Sequence, residues 1–235
     1  YSPNIIIHCA ALSSVTRGQT IDYYINNVIA TENLIESANR LTELERFMFL
    51  STAGVYGNQA GHEILSEDLC PNPISHYGMS KLVCEKMCVG FLNEGINCTV
   101  IRPFNVIGVG QNPDFIVPKL VSHFKENKKE IHLGNINTSR DYIDVYASCE
   151  LIKDLITAEK SFGQIVNLCG GTGHSVAELI EVLQQIYGYK IKVITDPKFV
   201  RKNEVWRLTG SVDKLESCLG KQVPKMDLHE VLSEM

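Results

Sequence analysis

Apolar positions in the first half of the chain come in short, nearly unbroken runs. Residues 5–9 read Ile-Ile-Ile-His-Cys, 46–50 read Arg-Phe-Met-Phe-Leu, and 98–101 read Cys-Thr-Val-Ile. Runs this short, with little polar alternation, fit strands covered on both faces, as in the middle of a parallel sheet. The stretches between them change period. Residues 21–40 place Val28, Leu34, Ile35 and Ala38 at helical spacing, and 77–93 carry Leu82, Val83, Met87, Val89, Phe91 and Leu92. The second stretch is apolar more than halfway round, which predicts cover on more than one side, from its own subunit or from a second copy. Strand, helix, strand, helix, strand predicts an α/β protein with a doubly wound parallel sheet. A strand of central type is an unusual first element, so the pattern predicts further sequence upstream of Tyr1.

The residues just past each run are small or polar. Ala10-Ala11-Leu12 follow the first, Ser51-Thr52-Ala53-Gly54 the second and Arg102-Pro103-Phe104-Asn105 the third. The carboxyl ends of parallel strands are where open α/β sheets bind ligands, and small residues there let a ligand approach the backbone. Asn26 and Asn27 sit inside a helical pattern, where asparagine is poor unless its amide has a task. Tyr77 and Lys81 stand four apart, which puts them on one helix face. A lysine charge beside a phenol favours phenolate and draws its pKa from about 10 toward neutrality. Such a tyrosine can give or take a proton. Isolated from its context, the same spacing describes an ordinary surface tyrosine and lysine.

Composition narrows the classes. The chain has 235 residues, 44% hydrophobic and 21% charged, enough for a large core or a core with a smaller lobe. A formal net charge of −5 leaves no basic surplus for non-specific binding of nucleic acid. No apolar run approaches the ~18 residues of a membrane span, and no secretory signal is visible. Cysteines number 8, none of them in a C-x-x-C, and Cys9, Cys98 and Cys169 lie inside apolar runs. They read as free thiols of a cytoplasmic protein, not as disulfides or a metal site. His8, within the first strand, reads as a satisfied core residue.

Five segments in order carry a resemblance: His8-Cys9-Ala10-Ala11; Asn26-Asn27-Val28; Leu50-Ser51-Thr52-Ala53-Gly54-Val55-Tyr56-Gly57; Tyr77-Gly78-Met79-Ser80-Lys81; and Arg102-Pro103-Phe104-Asn105. Together they resemble the extended short-chain dehydrogenase/reductase family, NAD(P)-dependent enzymes that modify nucleotide sugars. The resemblance implies a Rossmann-like doubly wound parallel sheet with a smaller C-terminal substrate-binding lobe. Residues 1–105 would be the C-terminal part of the dinucleotide-binding domain. Residues 106–235 would be mixed, a substrate lobe with returns to the main sheet near 140–170. The family's G-x-x-G-x-x-G phosphate turn does not occur here, which implies about 60 upstream residues, two βα units of roughly 30 each.

The second half resembles GDP-4-keto-6-deoxy-D-mannose reductases at 102–111, at Phe115-Ile116-Val117-Pro118-Lys119, at Ser139-Arg140-Asp141-Tyr142, at 166–171 and at Asp196-Pro197 with Arg201 and Glu204. Lys202 and Lys221 depart from the family, which usually has proline and tryptophan there. The resemblance implies NAD or NADP as cofactor, held by Ala10, Ala11, Asn27, Ser51, Tyr77, Lys81, Pro103 and Phe104. It implies Thr52, Tyr77 and Lys81 as catalytic residues, with Ser51 as a stand-in for Thr52. A nucleotide-diphosphate sugar would be held by Thr52, Asn105, Arg140, Arg201 and Glu204. Ala53 and Gly54 stand where related dehydratases carry acids, and neither can move a proton. The expected activity is that of a 4-ketoreductase on a 4-keto-6-deoxy nucleotide sugar, with a 4-epimerase or a non-catalytic binding relative as alternatives. Family members commonly dimerise through two long helices, here near 22–40 and 77–93.

Overall fold

The computed structural model describes residues 2–13, 20–200 and 204–235. Its first sheet contains β1 (Ile5–His8), β2 (Arg46–Leu50), β3 (Asn97–Pro103) and, from much later in the chain, β7 (Ile165–Leu168). All three pairings are parallel, in the order β1-β2-β3-β7. Parallel strands need crossovers, and these are helical. From β1 to β2 runs α1 (Thr20–Tyr23), a π-helical segment (Tyr24–Ile29) and α2 (Ala30–Ala38). From β2 to β3 runs α3 (His76–Phe91).

Alternate residues of β2 serve opposite faces. Phe47 and Phe49 pack with Ile35, Ala38, Cys84 and Cys88 of α2 and α3. Met48 packs on the other side, with Ile101, Val166, Leu151 and Leu215. Leu151 belongs to α5 (Val145–Thr157) and Leu215 to α7 (Asp213–Leu219). The sheet is therefore covered from both sides, the doubly wound arrangement the periodicity predicts. β1 differs from the expectation. Ile5 and Ile7 are exposed, because β1 pairs on one side alone and no described element covers the face they share.

A second set of elements follows β3. β4 (Asn105–Ile107) pairs in parallel with β6 (Ser139–Asp144). β6 also pairs antiparallel with β8 (Gly173–Ser175) and in parallel with β10 (Arg207–Leu208). β5 (Glu130–Leu133) and β9 (Lys192–Thr195) form a separate parallel pair. Around them α4 (Ile116–Lys125), α6 (Val176–Tyr187) and α8 (Leu228–Glu234) build a core of their own, including Leu120, Phe124, Ile131, Leu179, Leu183 and Leu232. α6 starts on a capping box of Ser175 and Glu178 and stops at Gly188 in the left-handed conformation, the signals that begin and end helices. A small cluster of Ala53, Val55, Tyr56, Leu65, Phe104 and Leu208 joins the two parts.

Candidate active site

The carboxyl ends of β1, β2 and β3 lie side by side, since the strands are parallel and in register. Each expected residue has a local reason for its place. Thr52 leaves β2 and caps a 3-10 turn (Ala53–Val55), its Oγ1 accepting from the Gly54 amide at 3.1 Å. Ser75 caps α3, its hydroxyl accepting from the Gly78 amide at 3.0 Å. Gly78 matters for a second reason. A Cβ there would stand 2.7 Å from the Gly54 carbonyl oxygen and 3.0 Å from Pro73 Cβ. Without one, the first turn of α3 closes onto the turn that Thr52 caps, and the Thr52 side chain comes near enough to the Tyr77 phenol to favour its anion.

Tyr77 and Lys81 follow on one face of α3. Lys81 is almost wholly buried, its Nζ 4.1 Å from the centroid of the Phe49 ring. Burial pushes the Lys81 ammonium down to about 8, against an opposing pull from Cys84, Cys88, Glu85 and Cys9. Burial also pushes the Tyr77 phenol above its usual value, partly offset by the nearby Thr52 side chain. This departs from the expectation of a phenol drawn toward neutrality: removing a half-buried phenol from water disfavours its anion more than the surroundings favour it.

Asn27 explains the π segment. Its Oδ1 accepts from the Leu12 amide at 2.7 Å, and its Nδ2 reaches the Leu12 carbonyl at 3.3 Å and Ser80 Oγ at 2.9 Å. The amide therefore ties the turn after β1, with exposed Ala10 and half-buried Ala11, to the helix of Tyr77. The extra residue of a π turn frees a carbonyl. Here the Asn27 carbonyl takes the Thr31 hydroxyl at 2.6 Å and Cys84 Sγ at 3.3 Å. His8 pairs with Thr31 Oγ1 at 2.9 Å, the satisfied core histidine expected.

Ser51 does not match the part of a stand-in for Thr52. Its hydroxyl turns inward and donates to Glu85 Oε1. Asn105 and Phe104 leave β3 as expected, Phe104 buried with its ring centroid 6.3 Å from that of Tyr56, Asn105 opposite Tyr142 in the β4–β6 register. Arg140, on β6, meets Glu204 at 3.6 Å. Arg201 lies outside the described residues.

Two groups escaped the sequence reading. Asp141 is fully buried and accepts from the amides of Gly170 at 2.7 Å, Gly171 at 2.9 Å and Gly210 at 3.2 Å. Burial lifts its carboxyl to about 6, against those three hydrogen bonds. It locks β6 to the turn after β7 and to the segment after β10. Glu85 is the other, and its spacing of four from Lys81 was the available signal.

The residues present fit the nicotinamide end of a dinucleotide. A phenol and an ammonium lie one helical turn apart, beside strand ends kept open by Ala10 and Ala11. Among the described residues no group of His, Cys, Asp or Glu could hold a metal ion, and no helix is long and apolar enough to cross a membrane. All eight cysteines are free thiols.

This fold with this site defines an NAD(P)-dependent enzyme of the extended short-chain dehydrogenase/reductase class. Residues 1–169 match the model of the NAD dependent epimerase/dehydratase family, and the chain belongs to that family. It is 37% identical over 238 residues to the GDP-6-deoxy-D-talose 4-dehydrogenase of Aggregatibacter actinomycetemcomitans, covering 99% of this chain and 79% of that protein. It is 28% identical over 247 residues to the GDP-6-deoxy-D-mannose reductase of Pseudomonas aeruginosa, covering 99% and 80%. Among solved structures, RMD from Pseudomonas aeruginosa complexed with NADPH superposes with a TM-score of 0.88 at 28% identity, covering 99% of this chain and 80% of that one.

Proposed function

We propose that the protein transfers hydride at C4 of a 6-deoxy nucleotide sugar, working as a 4-ketoreductase with Tyr77 as its acid. The observation that carries this reading is the close approach of Gly78 on α3 to Gly54, which brings the Tyr77 phenol to the Thr52 turn at the carboxyl end of β2. A phenol above its usual pKa holds its proton until a stronger base forms beside it, and an alkoxide growing on C4 is such a base. Thr52 then orients the sugar oxygen toward Tyr77. A bound nicotinamide supplies the hydride. Lys81, one helical turn further along α3, would stabilise phenolate with its ammonium after the proton has gone. Ala10, Ala11, Pro103 and Phe104 would border the cofactor, with Asn27 and Ser51 acting from behind. Asn105 would position the sugar, and Arg140, Arg201 and Glu204 would meet the nucleotide. Arginine's planar fork suits diphosphate oxygens.

Ala53 and Gly54 support oxidoreduction over dehydration, since neither carries a proton donor or acceptor beside Thr52. The two relatives point to the same carbon. 6-Deoxytalose and 6-deoxymannose are C4 epimers, so oxidation of either gives one 4-keto sugar. An epimerase would use the same residues, and relatives that include a UDP-glucose 4-epimerase of Halalkalibacterium halodurans, 30% identical over 262 residues, keep that second reading in view. A dimer has support too. Ile21, Ile25 and Ile29 form an exposed stripe at helical spacing, and Met79, Val89 and Phe91 of α3 are exposed as well. The test is direct: full-length protein is mixed with a GDP-4-keto-6-deoxy sugar and NADPH or NADH. Stoichiometric consumption of the reduced cofactor supports the reductase. C4 inversion of a GDP-sugar with no net consumption would instead identify an epimerase.

A further inference from the structure

We propose that Glu85 is a positioning residue for this active site: it holds α3 in register against the ends of β2 and β3 and presents the negative charge that Lys81 faces. The proposal rests on the reading of Tyr77 and Lys81 as the acid and its partner.

The geometry begins with spacing. Tyr77, Lys81 and Glu85 are four apart and form one stripe on α3. The stripe runs inward, from half-buried Tyr77 to Lys81 and Glu85, which are 2% and 1% exposed. At its inner end the Glu85 carboxylate accepts from Ser51 Oγ, from Arg102 Nε at 3.0 Å and from Arg102 Nη2 at 2.8 Å. Each partner adjoins a residue of the site. Ser51 precedes Thr52, and its own amide donates to the Ile101 carbonyl at 2.7 Å. Arg102 precedes Pro103, Phe104 and Asn105. One carboxylate therefore sets the offset between the tyrosine helix and both strand ends. Its partner cation is held in turn, with Arg102 Cζ 4.8 Å from the Tyr56 ring centroid.

A buried ion pair is not needed for stability, because well-packed apolar residues of similar volume often serve as well. Its position beside Lys81 gives it a second effect. The groups that face Lys81 are Cys84, Glu85 and Cys88 from α3, with His8 and Cys9 from β1 and just beyond it. Burial pushes the thiols of Cys9, Cys84 and Cys88 upward, so near pH 7 they carry no charge. It pushes His8 down to about 4, so the imidazole is neutral as well. Glu85 is left as the anion among them, and it opposes the burial that would strip the proton from Lys81.

The test compares full-length wild type with Glu85→Gln, Glu85→Asp and Tyr77→Phe, measuring Tm, kcat, KM and the pH profile of kcat with a GDP-4-keto-6-deoxy sugar and NADPH. Glutamine keeps an acceptor for Ser51 but removes the charge that faces Lys81 and leaves the Arg102 guanidinium without a counter-charge. Turnover should fall roughly 10- to 100-fold, the cost of misplacing a catalytic group by about an ångström, with KM little changed. The alkaline limb should move to lower pH, since Lys81 then loses its proton more easily. Aspartate keeps the charge and shortens the reach, so turnover should fall while the limb stays in place. If Glu85→Gln does not fold, Glu85→Asp decides alone: wild-type turnover in it overturns the proposal. In a folded Glu85→Gln, an unshifted limb with wild-type turnover does the same. Tyr77→Phe keeps the two readings apart. If it retains turnover, the proposed function fails; if it loses turnover while both Glu85 variants keep theirs, only the role of Glu85 fails.

Discussion

The paired strands β2 and β3 carry buried guanidiniums at opposite ends, Arg46 at the amino end of β2 and Arg102 at the carboxyl end of β3, and the two are satisfied in opposite ways. At the amino end, Arg46 is buried over the Phe162 ring, its Cζ 4.0 Å from the centroid. Its donors go to neutral acceptors: the carbonyls of Leu155 at 2.9 Å, Ile156 at 3.1 Å and Asn97 at 3.2 Å, with the hydroxyls of Thr99 and Ser161 at 3.1 Å each. Leu155 and Ile156 close α5, where carbonyls without helical partners and the negative end of the helix dipole welcome a cation. At the carboxyl end, Arg102 meets a carboxylate, and its Nη1 has no hydrogen-bond partner. The first arrangement is complete in itself and immobilises the base of the sheet. The second links charges in series, Arg102 to Glu85 and Glu85 to the surroundings of Lys81, and ends one helical turn from Tyr77. The sheet thus spends its neutral hydrogen bonds on holding still and its charges on chemistry.

The sharpest way to break this comparison is to remove the proton. Tyr77→Phe keeps the ring, so Tm should move little. Turnover should fall by about 10²–10⁴, the range that general acid–base catalysis supplies. Steady-state kinetics check this, and a variant that keeps its turnover would sink the catalytic assignment of the carboxyl end. Arg46→Met should do the reverse. It strands several buried acceptors, each costing about 1–3 kcal/mol when left unmade, so stability should drop by roughly 3 kcal/mol or more in urea unfolding. Turnover per folded molecule should be unchanged.

Acid should attack the two ends unequally. His8 sits at the carboxyl end, and burial, with a lesser contribution from Lys81, holds its pKa down at about 4 instead of the usual 6.5. The unfolded chain therefore takes up this proton first. The stability His8 contributes is complete above pH 6.5 and is lost as pH falls to about 4, on the order of 3 kcal/mol for one such group. Tm measured from pH 7 down to pH 4 should fall less steeply in His8→Leu than in wild type. Equal slopes would show that the folded protein charges His8 without penalty. At the amino end Arg46, held by carbonyls and hydroxyls, keeps its charge throughout this window.

The same division explains what was legible in the sequence. Strand ends, the tyrosine–lysine pair and the order of elements were visible because they rest on local spacing: short apolar runs, polar residues just after them, and a separation of four. The exposure of Ile5 and Ile7 was not visible, since an apolar run reports that a strand suits burial and not whether something covers it. The inward turn of Ser51 was also hidden, because its partner lies 34 residues away. Asp141 belongs to the Ser139-Arg140-Asp141-Tyr142 motif, yet its partners are amides at 170, 171 and 210, which no periodicity near 141 reveals. Local pattern shows which groups arrive at the site. Long-range polar bonds decide which way they point.

The finest test uses two glycines of α3. At Gly78 an added Cβ would meet the Gly54 carbonyl oxygen at 2.7 Å, whereas at Gly90 nothing lies within 4 Å. Both are helical, so Ala at either gains helix propensity of about 0.5–1 kcal/mol. At Gly78 that gain is outweighed by the clash with a backbone atom, which cannot swing aside. The helix must retreat from the 3-10 turn, and overpacking of this kind costs typically 1–3 kcal/mol. The retreat separates Tyr77 from Thr52, so Gly78→Ala should lose turnover as well as Tm. Gly90→Ala should raise Tm slightly and leave turnover alone. Because the two substitutions are chemically identical and share one helix, the difference between them isolates the contact that brings α3 to β2. If Gly78→Ala behaved like Gly90→Ala, the close approach of Gly78 to Gly54 would not be what sets the distance between the phenol and the threonine.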